Sequence, residues 1–121
     1  MFTYRARVTE VYDGDTVTVD VDLGFTVTVR ALRLRLSGID TPEIRTRDKQ
    51  EKLAGYKARD WLREQIDGKE IMVRTEKTGK HGRYIATIWS IDENGTRSEE
   101  SLNDEMLRSG LARVYGWKNK E

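Results

Sequence analysis

Apolar and polar residues alternate along the early part of the chain. Phe2, Tyr4, Ala6 and Val8 share one parity, after which the apolar phase shifts to Val11. Alternation of period two marks a strand with one buried face, and a slip of parity inside it predicts a bulge or sharp curvature. Asp13-Gly14 is a hairpin signal. Beyond it Val17, Val19, Val21 and Leu23 alternate with Thr16, Thr18, Asp20 and Asp22, and Gly24 ends that second strand. Phe25, Val27 and Val29 open a third, whose phase slips again before Leu32, Leu34 and Leu36. Three consecutive, curved, antiparallel strands are what a small barrel needs.

From Asp48 the period changes. Ala54, Ala58, Leu62 and Ile66 fall four apart, flanked by Leu53 and Trp61, which predicts one apolar stripe on a helix. Gly68 stands where a left-handed residue would terminate it. Ile71 and Val73 read as a fourth strand. A fifth is carried either by Ile85, Thr87 and Trp89 or by Ala86, Ile88 and Ser90. Asn94-Gly95 marks a tight turn. Ser101 followed by Asp104 resembles a capping box for a short helix with Leu102, Met106 and Leu107, closed by Gly110. Leu111 to Val114 returns as a last short strand. The expected class is α+β, mainly β: a five-stranded Greek-key barrel of the oligonucleotide/oligosaccharide-binding (OB) type with two to three helices. Such barrels bind nucleic acid often enough to raise that expectation, but fold alone does not fix function.

Composition narrows the picture. With 121 residues, the whole span 1–121 is expected to form one domain. A charged fraction of 36% describes a well-wetted surface. The net charge of +1 matters less than its distribution. Basic residues cluster at Arg30 to Arg35, Arg45 to Lys52 and Lys77 to Arg83, and acidic ones at Asp92 to Glu105. The absence of cysteine excludes a disulfide frame and a thiolate metal site. No apolar run approaches membrane-spanning length, so no membrane partner is expected. Met1 leads straight into a strand pattern, which suits either a protein that is not exported or the processed form of a secreted one. A monomer is expected.

The chemistry concentrates in Arg35-Leu36-Ser37-Gly38-Ile39-Asp40-Thr41-Pro42-Glu43. Gly38 weakens the strand ladder and Pro42 biases Thr41 towards an extended conformation, so the chain turns near Asp40 and presents Asp40 with Glu43. Asp15, after the Asp13-Gly14 turn, opens the second strand, and Asp40 closes the third. Those strand ends can lie together in a curved meander, converging two carboxylates. Oxygen ligands suit a hard cation such as calcium, and two carboxylates leave its coordination sphere open. Asp13 reads as a turn residue, and Asp15 taken alone could be one as well. Guanidinium forks stabilise charge that builds on a phosphodiester under attack. Arg83, in Gly79-Lys80-His81-Gly82-Arg83, is one candidate. Arg33 and Arg35 share a parity, so alternation leaves both open as the other. Ile44 to Lys52 is basic and unpatterned, either a steering surface or a solvated connector.

Asp13-Gly14-Asp15-Thr16, Arg35 ahead of Asp40-Thr41-Pro42-Glu43, Lys80-His81-Gly82-Arg83-Tyr84 and Gly110-Leu111-Ala112 together resemble the thermonuclease (staphylococcal nuclease) family, in the right order from about Val8 to Val114. The resemblance selects Arg35 over Arg33. It implies a calcium-dependent nuclease of DNA and RNA that breaks the P–O5′ bond and leaves 3′-phosphates. It also implies that Asp15, Asp40 and the Thr41 carbonyl hold Ca2+, that Glu43 accepts a proton from the attacking water or orients it, and that Arg35 and Arg83 grip the phosphate. Lys80 and His81 would lie near a neighbouring phosphate, although His81 stands where well-known members carry tyrosine. Single-stranded or frayed regions are the expected substrate. The family often continues into a third helix and a tyrosine pair. Here Tyr115-Gly116-Trp117 is offset, so Tyr115 or Trp117 would stack on a base instead. The alternatives are a catalytically inactive OB-fold module that binds nucleic acid or protein, and a calcium-stabilised structural domain.

Overall fold

The computed structural model describes residues 2–78 and 84–115. Strands β1 (Phe2–Asp13), β2 (Thr16–Asp22) and β3 (Thr28–Leu36) form the expected antiparallel meander. After it come a two-residue strand β4 (Ile39–Asp40), helix α1 (Lys49–Ile66), strands β5 (Glu70–Thr78) and β6 (Tyr84–Ser90), helix α2 (Leu102–Arg108) and strand β7 (Arg113–Val114). The order β1-β2-β3-β6-β5 closes into a barrel, because β5 pairs with β1 from Phe2↔Thr75 to Arg7↔Glu70. Only the β3–β6 seam is parallel, over Leu34↔Tyr84 to Leu36↔Ala86. β4 and β7 pair separately beside the barrel. This is the OB-type, mainly β architecture, with two helices among the described residues.

The parity slips have physical counterparts. In β1 the register against β2 shifts between Val8 and Glu10 and again between Val11 and Asp13, which inserts Thr9 and Tyr12 as extra residues. In β3 the slip lies between Val29 and Leu32, where Ala31 adopts φ 57° and donates its N–H to Asp20 Oδ1 at 2.9 Å. Parity is thereby restored, and Leu34 and Leu36 point inward with Val17, Val19, Ile71, Val73, Ala86 and Ile88. The fifth barrel strand thus uses the Ala86/Ile88 face, while Trp89 is covered from outside. Each fully buried Leu, Ile or Val contributes roughly 1.5–3 kcal/mol.

Three expectations are corrected. Phe25 and Val27 do not begin β3. Phe25 and Thr26 lie in a turn with φ 54° and 60°, and Phe25 is 97% exposed. Alternation there mimics a strand, but left-handed backbone cannot extend a ladder. On α1 the buried stripe is Gly55, Ala58, Leu62 and Ile66, with Leu53 69% exposed and Ala54 also on the outside. Ala58, Leu62 and Ile66 are buried as expected, and the first position of the stripe moves from Ala54 to Gly55, whose backbone lies against the loop at Pro42 and Glu43. Finally, the last strand is only Arg113–Val114. Leu111 and Ala112 instead have their N–H groups tied to the Met106 carbonyl at 3.0 and 3.1 Å, closing α2. The caps behave as expected. Asp48 accepts from the N–H groups of Gln50 and Glu51, Ser101 from Asp104, and Gly68 takes φ 72°.

Candidate active site

The β1–β2 turn builds one wall. Asp13 pairs with Thr16, so the two turn residues are Gly14 and Asp15. Asp15 therefore lies in the turn itself and not at the first position of β2. Asp13 Oδ1 accepts the Asp15 N–H at 3.1 Å, a local bond that fixes the turn. Glycine is required at position 14 by proximity: a methyl group there would stand 2.6 Å from Thr41 Cγ2 and 2.9 Å from Ala58 Cβ. The turn is wedged between α1 and the loop after β4. Consequently Asp15, 9% exposed, accepts the Thr41 N–H on Oδ2 at 3.1 Å and the Thr16 hydroxyl on Oδ1 at 3.3 Å.

The second wall follows β3. Gly38, at φ 77°, turns the chain out of the barrel, so Asp40 does not close the third strand but sits on β4, opposite Arg113. Arg35 reaches back across this turn. Its guanidinium meets Asp15 Oδ2 at 3.1 Å and Asp40 Oδ1 at 2.6 Å, with its side chain only 15% exposed. The ring of Tyr115 lies 5.4 Å from the guanidinium carbon. Arg33, on the same face, instead lies over Tyr12 at 5.9 Å. Asp13 adds a further carboxyl, pushed up to about 6 by burial first and then by the Asp15 charge. The site is thus rich in carboxylate oxygen, and the Arg35 fork faces two of its carboxylates.

Glu43 stands on the lip. Another close approach sets it there: a methyl at Gly55 would be 2.7 Å from the Pro42 carbonyl oxygen and 3.1 Å from that of Glu43. Helix α1 therefore lies against the loop backbone, and the Glu43 N–H donates to Glu51 Oε2 at 3.1 Å. The carboxylate of Glu43 is exposed and overlooks a cleft of about 520 Å³. Asp40, Thr41, the first turns of α1 and Gly110 to Val114 line the rest of that cleft.

Of the residues expected from the sequence, Asp15, Arg35, Asp40, Thr41 and Tyr115 are brought together, with Glu43 on the cleft that Asp40 and Thr41 also line. Arg83, Lys80 and His81 lie outside the described residues, as does Trp117. Among the described residues no three His, Cys, Asp or Glu side chains form a metal cage. The donors expected for a cation are the Asp15 and Asp40 carboxylates and the Thr41 carbonyl. All three are hard oxygen donors, and so few of them fit a loosely held ion with room for water and substrate.

Sequence reasoning passed over Asn103. Its side chain is buried, accepts the Ile88 N–H at 3.0 Å, and donates to the carbonyls of Ser37 and Ala86 at 2.9 and 3.1 Å. It staples the β3–β6 seam at the turn that leads to Asp40. The available signal was an asparagine on the apolar face of α2, in helical register with Met106 and Leu107.

An OB-type barrel whose edge carries a guanidinium between two carboxylates defines the class. The chain belongs to the staphylococcal nuclease family, since the family model described as "Staphylococcal nuclease homologue" matches residues 33–121. Among its relatives, an uncharacterized protein of Methanocaldococcus jannaschii is 32% identical over 93% of this chain and 59% of its own length. Protein ParB of Escherichia coli is 30% identical over 92% and 57%, and a thermonuclease of Staphylococcus hyicus 28% over 89% and 57%. The chain thus spans less than two thirds of the curated relatives it matches.

Proposed function

We propose that this chain is a metal-dependent nuclease that hydrolyses phosphodiester bonds of DNA and RNA, breaking the P–O5′ bond and leaving 3′-phosphates. One observation carries the reading: the Arg35 guanidinium spans the Asp15 and Asp40 carboxylates at 3.1 and 2.6 Å, beside a cleft that Glu43 overlooks. The family membership and the thermonuclease among the relatives support it.

In this proposal Asp15, Asp40 and the Thr41 carbonyl would hold Ca2+, which when bound would supply polarisation of a phosphoryl oxygen. Arg35, fixed by its packing, donates to the non-bridging oxygens as their charge grows. Removing such a donor typically costs about 10²–10³ in rate. Glu43 takes a proton from the attacking water or aligns it, a role worth about 10²–10⁴. Arg83 supplies a second guanidinium. Lys80 and His81 would serve a neighbouring phosphate, and Tyr115 offers a ring to a base.

The test is digestion of single-stranded DNA and RNA with calcium, with chelator, and with calcium restored, alongside a melting curve in each condition. Cleavage that stops and resumes, with a higher melting temperature in calcium, is expected. Folded protein that binds the strands in calcium yet leaves them intact would reassign the barrel to a non-catalytic binding module.

A further inference from the structure

Three arginine–tyrosine ring contacts surround the site. Arg35 over Tyr115 belongs to the carboxylate site already described. Arg33 over Tyr12, at 5.9 Å, and Arg59 over Tyr56, at 4.5 Å, do not. Their two tyrosines line a second cavity, of about 290 Å³, near the small end of the range for ligand pockets. Glu43 lines both cavities, so the two lie on either side of the loop that carries it.

The fold delivers each ring by a specific device. Tyr12 is an extra residue of the second β1 bulge, freed from the ladder and 43% exposed. Bulges near active sites commonly re-aim a side chain in this way. Tyr56 follows Gly55, the residue that lets α1 press against the Glu43 loop, so its ring stands close to that loop.

The charges around the second cavity decide what it can hold. Arg45, Arg59 and Arg63 are balanced by Glu10, Asp13 and Glu43. Arg63 spends both Nε and a terminal nitrogen on the Val11 carbonyl, and Arg59 is 3.0 Å from Asp60. A phosphate would meet as many carboxyl groups as guanidinium groups in the lining. A neutral aromatic ring with donors and acceptors on its edge would meet two tyrosine rings, each with a guanidinium against it, and polar groups of both kinds. Nucleobases are that chemical class, and their stacking on aromatic side chains tolerates any sequence.

We propose that the cavity between Tyr12 and Tyr56 is a base slot. It takes a nucleotide of the substrate strand on the opposite side of the scissile phosphate from Tyr115. The inference rests on the nuclease reading, which supplies the phosphate between the two stacking points. Because a base must leave its duplex partner to enter, the slot selects single-stranded or frayed substrate.

The experiment uses the full chain with Tyr12→Ala, Tyr56→Ala and the corresponding phenylalanine variants. Binding of a single-stranded oligonucleotide of about eight residues is measured by anisotropy in chelator, where no cleavage is expected. Each alanine variant should bind roughly five- to hundredfold more weakly, and each phenylalanine variant like wild type, since the ring is what stacks. In calcium, KM for the oligonucleotide should rise with alanine, while kcat/KM for a phosphodiester that carries a base only on the Tyr115 side of the scissile phosphate stays unchanged. Where an alanine variant fails to fold, 2-aminopurine walked along the oligonucleotide replaces it. Quenching at a position beyond the cleaved linkage, lost on competition with unlabelled strand, is expected with wild type. Alanine variants that melt normally and bind like wild type, or no such quenching at any position, would overturn the slot. Failure of the nuclease reading looks different: wild type would bind with full tyrosine dependence and cut nothing in calcium.

Discussion

Replacing Arg35 by alanine tests whether its guanidinium is the charge balance of the site. Its two contacts, at 3.1 and 2.6 Å, join a carboxylate that is 12% exposed to one that is 48% exposed. Breaking a buried ion pair by removing one partner costs about 3–5 kcal/mol, whereas a solvent-facing pair contributes about 0–1 kcal/mol. Asp15 lies near the first case and Asp40 near the second. The Thr41 N–H and the Thr16 hydroxyl still serve Asp15 after the change. The expected loss in chelator is therefore about 2–3 kcal/mol, read by urea unfolding followed through Trp61 and Trp89. Asp15→Asn removes the charge that the alanine leaves stranded. The double variant should thus lie about 1–2 kcal/mol above the sum of the singles. Calcium at a hundredfold its dissociation constant adds about 2.7 kcal/mol to any form that binds it only when folded. Because that ion would neutralise both carboxylates, the gap between wild type and Arg35→Ala should shrink in calcium. A variant within about 0.5 kcal/mol of wild type in chelator, the range of ordinary surface changes, would refute the charge-balance argument.

Gly55→Ala should lose up to about 2 kcal/mol of stability, since about 1 kcal/mol of helix propensity offsets part of the roughly 1–3 kcal/mol of overpacking against Pro42. The displaced Glu43 loop should lower kcat at least about tenfold, measured at a temperature where urea unfolding shows the variant still folded. Asn103→Ala orphans the Ile88 N–H and the Ser37 carbonyl, so a loss of about 2–5 kcal/mol is expected in urea unfolding. A loss under about 1 kcal/mol would mean that water or a neighbour replaces the side chain. Glu100→Gln probes an exposed pair. Arg108 donates to Glu100 at 2.9 to 3.3 Å, and this bonding holds the carboxyl below its ordinary value of 4.5. A depressed carboxyl stabilises the fold above that value and loses the contribution as pH falls through the folded-state titration. The wild-type and variant melting temperatures should differ slightly at neutral pH and converge in acid.

What the sequence discloses and what it hides divide along a physical line. Parity slips at Val11 and Leu32 were legible as bulges because burial on one face forces side-chain alternation, and an extra residue is the only way to restore it. Asp15, Arg35, Asp40 and Glu43 were legible as candidate chemistry because charges gathered at strand ends need a reason. Alternation failed at Phe25, where the pattern persists but φ is positive. It was silent between Arg33 and Arg35, which share a face yet meet Tyr12 and two carboxylates respectively. Least visible were the contacts that assemble the site. Gly14 against Thr41 and Gly55 against Pro42 are encounters in which one partner has no side chain, so no periodicity can announce them. Those two glycines bring the Asp15 turn and the Glu43 loop against α1, and the remaining distances follow from that docking. A methyl group at either position moves a backbone rather than a functional group. The arrangement of the carboxylates is therefore more sensitive to the two residues that carry no chemistry than to many of the charged ones around them.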